Sequence, residues 1–167
     1  MQFLAPASAA CTSCHNLITG RAGPCVALTK RALAMVRILI ADDSTPVRCG
    51  LRTLLGLNSD WQVCGEAVDG ADAVEKAQQL APDLILMDFS MPQMDGVQAA
   101  QEIAKSGTDI PILLFTRNLS PQVMALARNA GLRGAISKSE ISMLPYAIRA
   151  VQRGETFFYS TSREMNL

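Results

Sequence analysis

The chain has 167 residues, of which 49% are hydrophobic and 18% are charged, a composition typical of a folded globular domain. Its formal net charge is zero, but residues 1–34 carry three basic and no acidic side chains, whereas the remainder carries 12 basic and 15 acidic ones. A mildly acidic body offers no basic surface for a phosphate backbone, and no apolar run reaches the roughly 18 residues of a membrane span. Nucleic-acid binding by this chain alone and insertion into a membrane are therefore not expected.

The body of the chain alternates short apolar runs with longer amphipathic segments. Apolar runs predict buried strands at residues 36–41, 61–66, 84–87, 112–115 and 134–137. Apolar residues at three- and four-residue spacing predict helices over residues 47–55, 69–80, 97–104, 123–130 and 144–151. Five strand–helix units in succession predict an α/β fold with a parallel sheet and helices on both faces.

Serine or threonine followed by proline indicates where three of the helices begin. Ser44 or Thr45 is predicted to cap the first helix, Ser120 the fourth and Ser142 the fifth. A proline follows each of them within the first turn, where its missing N–H costs little. The fourth helix is predicted to stop at Gly131.

Polar residues follow four of the five predicted strands. Asp42 and Asp43 follow the first strand, Asp88 the third, Thr116 the fourth and Lys138 the fifth. In a parallel sheet they project from one edge, where three carboxylates repel one another unless a cation lies between them. Hard oxygen ligands favour Mg²⁺. A nucleophilic carboxylate beside a divalent ion, a hydroxyl and an ammonium is the arrangement that phosphoryl transfer requires.

Each of these residues also has a simpler structural interpretation. An aspartate at the end of a strand commonly forms a turn or caps a helix, so the Asp42–Asp43 pair could be capping chemistry. Thr116 could cap a turn, and Lys138 could be a solvated surface lysine. Their joint occurrence at four of five strand ends favours the functional interpretation.

Four stretches of the chain resemble the receiver domain of bacterial response regulators. They are Ile-Leu-Ile-Ala-Asp-Asp-Ser at 38–44, Asp-Phe-Ser-Met-Pro-Gln-Met-Asp-Gly at 88–96, Thr116, and Gly-Ala-Ile-Ser-Lys at 134–138. The resemblance covers residues 36–158. It implies a flavodoxin-like, doubly wound, five-stranded parallel sheet of order 2-1-3-4-5.

The same resemblance implies the partner and the role of each site residue. Asp88 would accept the phosphoryl group of a phosphohistidine on a sensor histidine kinase or phosphotransfer protein. The Mg²⁺ site would comprise Asp42, Asp43, Asp88 and the backbone carbonyl of Ser90, with Asp42 acting largely through water. Thr116 and Lys138 would bond the phosphoryl oxygens. The resemblance implies that self-phosphorylation and autodephosphorylation would be the only reactions the domain catalyses. It implies a cytoplasmic location, and family analogy allows a homodimer.

Two departures from the family pattern leave a second function open. Ala135 stands where family members usually have tyrosine or phenylalanine, so any output switch must use other packing. Arg117 follows Thr116 where small residues are usual, and it could slow access to the site or add a phosphate contact. The alternative is a degenerate receiver that docks to a partner without phosphorylation. A haloacid-dehalogenase-type phosphatase would need a second aspartate where Ser90 stands.

The two ends of the chain carry separate predictions. Residues 1–34 are interpreted as a disordered leader before a receiver at 35–158, and a start codon set too far upstream would explain them. Cys-Thr-Ser-Cys-His at 11–15 matches the pattern of c-type haem attachment, and with Cys25 it could instead bind a metal. A transit peptide is a further alternative. Residues 159–167 are predicted to be a tail too short for a helix-turn-helix output domain.

Overall fold

The computed structural model describes residues 35–159, which form a six-stranded parallel sheet with helices on both faces. The strands are β1 (Val36–Ala41), β2 (Trp61–Ala67), β3 (Leu84–Met87), β4 (Ile112–Thr116), β5 (Gly134–Ser137) and β6 (Phe157–Tyr159). The helices are α1 (Thr45–Gly56), α2 (Gly70–Leu80), α3 (Gly96–Lys105), α4 (Pro121–Asn129) and α5 (Leu144–Gln152), and a 3₁₀ helix covers Lys138–Met143. The predictions for residues 1–34 and 160–167, including the Cys-Thr-Ser-Cys-His motif, lie outside the described residues.

The sheet has the strand order β2-β1-β3-β4-β5-β6, so the predicted fold class and the predicted order of the first five strands are confirmed. The sixth strand was not predicted. It pairs in parallel with β5, with Phe158 opposite Ala135. A β-carbon at Gly134 would stand 2.2 Å from the backbone oxygen of Phe157, so the absence of a side chain at this position lets the last strand approach.

The core lies on both faces of the sheet, because successive side chains of each strand point to opposite faces. Ile38 and Ile40 of β1 pack in the cluster that includes the buried side chains of α1 and α5. Leu39 and Ala41 pack in the cluster that includes those of α2, α3 and α4. Strands buried on both faces read as continuous apolar runs, which is why the sequence predicts them well. Within residues 35–159, no helix combines the length and the apolar character needed to cross a membrane.

The helix starts differ in part from their predictions. Ser120 caps α4 as predicted, with its side chain accepting from the Val123 N–H, but the helix ends at Asn129 and Gly131 lies in the following turn with φ of 79°. Ser44 precedes α1 as predicted but makes no side-chain cap bond. The predicted cap at Ser142 is wrong: the 3₁₀ helix runs through it, and α5 begins one residue after Met143.

Candidate functional site

The site lies at the carboxyl edge of the sheet, where the chain order reverses between two neighbouring strands. Asp42 follows β1 and Asp88 follows β3, and these strands are adjacent although α1, β2 and α2 separate them in the sequence. The Asp88 N–H donates to the Ala41 carbonyl at 2.8 Å, and the Asp42 N–H donates to the Ala67 carbonyl at 3.1 Å. Both aspartates are therefore held by the backbone ladder at the crevice where parallel α/β folds bind their ligands.

Three carboxylates meet in this crevice. One oxygen from each of Asp42, Asp43 and Asp88 lies within 4.8 Å of the others. Asp42 and Asp88 are only 2% and 3% exposed, whereas Asp43 is exposed at the rim. Carboxylates this close and this poorly solvated repel one another, so the cluster requires positive charge.

Lys138 supplies part of that charge. Its ammonium donates to Asp42 Oδ2 at 2.6 Å and to Asp88 Oδ2 at 2.8 Å, with 10% of the lysine side chain exposed. The lysine is the first residue of the 3₁₀ helix, directly after β5, so the strand end directs it into the crevice. Three carboxylates and one ammonium leave a formal charge of −2, which a divalent cation would neutralise.

One buried carboxylate oxygen of the cluster has no hydrogen-bond partner. Asp42 Oδ1 accepts from the Ser44 N–H at 2.9 Å, but Asp88 Oδ1 is buried and has no hydrogen-bond partner. A buried, unpaired carboxylate oxygen is costly and calls for a ligand. An all-oxygen donor set with room for water fits a hard cation such as Mg²⁺. The residues present therefore fit the metal that the sequence predicts.

The remaining predicted site residues lie at the same edge of the sheet. Thr116 ends β4, is 1% exposed and pairs in register with Ser137, which directly precedes Lys138. Ser90 is exposed two residues after Asp88, and Arg117 is exposed directly after Thr116. The structure thus joins Asp42, Asp88 and Lys138 by hydrogen bonds and brings Asp43 beside them. Among the described residues, neither the buried Thr116 nor the exposed Ser90 is hydrogen-bonded to this cluster.

The loop that follows Asp88 is closed by a backbone hydrogen bond. The Gly96 N–H donates to the Phe89 carbonyl at 2.9 Å, which closes the loop. Gln93 lies inside it with a left-handed φ of 64°. Asp95 caps α3 by accepting from the backbone N–H groups of Val97 and Gln98, and the Gln98 side chain accepts from the Asp95 N–H in return. This reciprocal cap fixes where the loop ends.

One charged residue that contacts the site is not among the residues predicted from the sequence. Arg48 of α1 is buried, and its Nη1 donates to the backbone carbonyl of Asp42 at 2.7 Å. Its spacing could have indicated its burial. Arg48 lies three residues before Leu51 and so shares the apolar face of the first helix, where a solvated arginine is not expected. Its acidic partner, Glu66 of β2, lies 18 residues further along the chain, so no local charge pattern indicates the pair.

Comparison with known proteins identifies the family. The sequence model of the response regulator receiver domain matches residues 38–149, so the chain belongs to the response regulator receiver family. Among curated proteins it is 37% identical, over 124 residues, to the response regulator protein VraR of Staphylococcus aureus. That match covers 74% of this chain and 59% of VraR, so the chain spans only part of the length of this relative.

Two solved structures extend the similarity to the fold. A two-component response regulator of the LuxR family from Aurantimonas has a TM-score of 0.72 and 30% identity, covering 74% of this chain and 89% of that one. The signal receiver domain of a response regulator NarL from Mycobacterium tuberculosis has a TM-score of 0.70 and 30% identity, covering 74% of this chain and all of that domain. The described part of the chain is thus a receiver domain of two-component signalling proteins related to the LuxR family.

Proposed function

We propose that this chain is a phosphoryl-accepting receiver and that Asp88 takes the phosphoryl group. The observation that carries the proposal is the buried Asp88 Oδ1, which lacks a hydrogen-bond partner while its twin oxygen is held by Lys138. A buried oxygen without a protein partner is open to whatever enters the crevice, whether the metal ion or the phosphoryl group. The surrounding groups, two further carboxylates and an ammonium, are those that phosphoryl transfer uses.

The metal of the proposed reaction is Mg²⁺. Asp42, Asp43, Asp88 and the backbone carbonyl of Ser90 would hold it, with Asp42 acting largely through water. When bound, Mg²⁺ would offset the negative charge of the phosphoryl oxygens as they approach the carboxylates. The ammonium of Lys138, which now bridges Asp42 and Asp88, would exchange one of these contacts for a phosphoryl oxygen. The Thr116 hydroxyl would bond another of the phosphoryl oxygens.

The proposed transfer conserves atoms and charge. A carboxylate oxygen of Asp88 forms a bond to phosphorus while the phosphorus–nitrogen bond of a donor phosphohistidine breaks. The electron pair returns to the donor ring, which is protonated on its other nitrogen and therefore leaves as neutral imidazole. The product is an acyl phosphate on Asp88. Hydrolysis by water restores the carboxylate and releases inorganic phosphate, so the cycle needs no further reactant.

The donor and the recipient of the signal follow from the class of protein. The donor would be a sensor histidine kinase or phosphotransfer protein, encountered in the cytoplasm. The phosphorylated receiver would pass the signal on through a shift of the surface formed by its last strands and helices, or through a homodimer. A shift of α4 is the proposed output, since Ala135 offers no aromatic side chain to move.

The test is the intact mass of the protein after incubation with acetyl phosphate and Mg²⁺. We expect one added phosphoryl group in the wild type and in Asp109→Asn, whose side chain is 94% exposed and which precedes β4, at the opposite edge of the sheet from the crevice. We expect none in Asp88→Asn or in EDTA. If the wild type shows no adduct even after rapid quenching, the proposal is contradicted and the docking module is favoured. Arg117→Ala would then be the first variant to examine.

A further inference from the structure

Arg48 is a buried cation directly behind the acidic crevice. Among the lysines and arginines of residues 35–159, only Arg48 is buried, with 8% of the residue exposed. It lies in the first turns of α1, and side chains of a helix point back toward its N-terminus. That direction brings the guanidinium to the turn that carries Asp42 and Asp43.

The guanidinium joins three elements of the fold. Nη1 donates to the Asp42 carbonyl at 2.7 Å, Nε donates to Glu66 Oε2 at 3.0 Å, and Nη2 donates to Thr45 Oγ1 at 3.1 Å. Arginine presents its donors in a rigid planar fork, so three simultaneous bonds fix its orientation as well as its position. Lysine could not reproduce this arrangement.

The carbonyl that accepts the hydrogen bond from Arg48 belongs to the peptide between Asp42 and Asp43, two of the candidate metal ligands. Rotation of the peptide between Asp42 and Asp43 would redirect both side chains relative to Asp88. The Asp42 carboxylate is held separately by the Ser44 N–H and by Lys138. Asp43 is exposed, so the direction of its carboxylate depends mainly on the backbone of this turn.

Glu66 holds Arg48 on the side away from the crevice. Glu66 lies in β2 and accepts from both arginines, with Arg52 on the exposed side of the pair. The Lys76 ammonium donates to the backbone carbonyl of Glu66 and to Asp72 Oδ2, which ties the same strand end to α2. Arg48 is thus bonded to a glutamate whose own position is fixed by Arg52 and Lys76.

We propose that Arg48 is a positioning residue for the metal: it fixes the Asp42–Asp43 peptide so that both carboxylates face Asp88, and its loss weakens Mg²⁺ binding at this site. The inference rests on the proposed function, because it assumes that the crevice binds Mg²⁺. Arg48 makes no contact with the phosphoryl group in this account. Groups that orient metal ligands from outside typically change metal affinity by about 10–100-fold when removed.

The test is calorimetric titration of the full chain with MgCl₂ after removal of bound metal. We expect Arg48→Met to raise the Mg²⁺ dissociation constant about tenfold. The matched control is Arg37→Met, which removes the same charge and also one hydrogen bond to a backbone carbonyl, that of Ala81, at the opposite end of β1. The control should keep the dissociation constant within about twofold of wild type.

A second measurement separates positioning from general stability. The Mg²⁺ concentration that half-saturates phosphorylation by acetyl phosphate should rise in Arg48→Met by the same factor, while the rate at saturating Mg²⁺ stays near wild type. A lower melting temperature in EDTA with an unchanged Mg²⁺ dissociation constant would overturn the inference, because it would mean that Arg48 only stabilises the fold.

The outcomes distinguish this inference from the proposed function. If the wild type binds no Mg²⁺, the proposed metal site fails and the role of Arg48 fails with it. If the wild type binds Mg²⁺ and Arg48→Met binds it equally well, the inference alone fails. Should Arg48→Met not fold, Arg48→Lys decides, since it keeps the charge but not the three bonds. A rise of about threefold or more in its dissociation constant supports the inference, and no rise overturns it.

Discussion

A β-carbon at Gly96 would stand 2.1 Å from the backbone carbonyl oxygen of Asp88. The first turn of α3 therefore packs directly on the peptide that carries the proposed phosphoryl acceptor. The Gly96 N–H donates to Phe89, so the contact also closes the loop after β3. The position of Asp88 depends on the missing side chain at residue 96.

We expect Gly96→Ala to destabilise the protein by about 1–3 kcal/mol, because the added methyl group meets backbone that cannot move without displacing β3 or α3. The matched control is Gly50→Ala in α1, where a β-carbon would meet nothing within 4 Å. That variant should gain about 0.5–1 kcal/mol, since alanine is the better helix former. Urea unfolding measures both. Equal stabilities for the two variants would contradict the close approach at Gly96.

Asp43→Asn should stabilise the metal-free protein by about 1 kcal/mol, because it relieves repulsion within the carboxylate cluster. Asp109→Asn, which removes an exposed carboxylate elsewhere, should be near neutral. The sign of the Asp43→Asn effect should reverse at saturating Mg²⁺, since the variant has lost a ligand that stabilises the native state on binding. Unfolding curves in EDTA and in Mg²⁺ test this. A variant that is less stable than wild type in EDTA would mean that the carboxylates do not repel.

Stability should fall in acid partly through Asp72. Burial raises the pKa of its carboxyl, but the hydrogen bonds from Lys76 and from the Val68 N–H, with the charges of Lys76 and Arg48, outweigh burial and lower the pKa below its usual value. Because the folded pKa is the lower one, this stabilisation is present above the unfolded value of about 3.9 and is lost as pH falls through the folded value.

The Asp72 contribution is measured as the difference in unfolding free energy between wild type and Asp72→Asn. We expect a loss of about 1 kcal/mol in the variant at pH 7, shrinking below about pH 4. Glu75→Gln, an exposed change on the same helix, serves as the control and should show a smaller loss. A difference that stays constant through the acid range would show that the pKa of Asp72 is not lowered by folding.

The two cysteines of the described residues should differ in reactivity. Cys49 is exposed on α1, whereas burial raises the pKa of the Cys64 thiol on β2 and reduces its thiolate fraction. With iodoacetamide near pH 7.5, peptide mapping should find Cys49 alkylated at least about tenfold faster than Cys64. Equal rates in the native protein would mean that β2 opens readily, and urea should abolish the difference in any case.

Most of the sheet could be predicted from the sequence because of how its strands are buried. β1, β3 and β5 begin and end as predicted, since strands covered on both faces have continuous apolar side chains. β6 could not be predicted, because three residues carry too little pattern and its pairing depends on the bare backbone of Gly134. The helical spacing placed the start of α5 at Leu144 correctly, but its cap was wrongly assigned to Ser142, which has the chemistry of a cap and lies within the 3₁₀ helix.

The candidate site likewise contains residues that the sequence predicts and one that it does not. Asp42, Asp88 and Lys138 could be predicted to meet because each directly follows a strand, and parallel strands end at one edge. The role of Arg48 could not, because its contacts with Asp42 and Glu66 join three separate elements, and only the folded chain brings them together. A side chain that acts on a backbone carbonyl carries no motif.

The most direct test of the central claim is chemical localisation of the acyl phosphate. Borohydride reduces an aspartyl phosphate to homoserine, which peptide mapping can assign to a residue. After incubation with acetyl phosphate, we predict homoserine at position 88 alone, only when Mg²⁺ is present, and at the same level in Asp109→Asn. Homoserine at another aspartate, or none in a wild-type protein shown to bind Mg²⁺, would contradict the account.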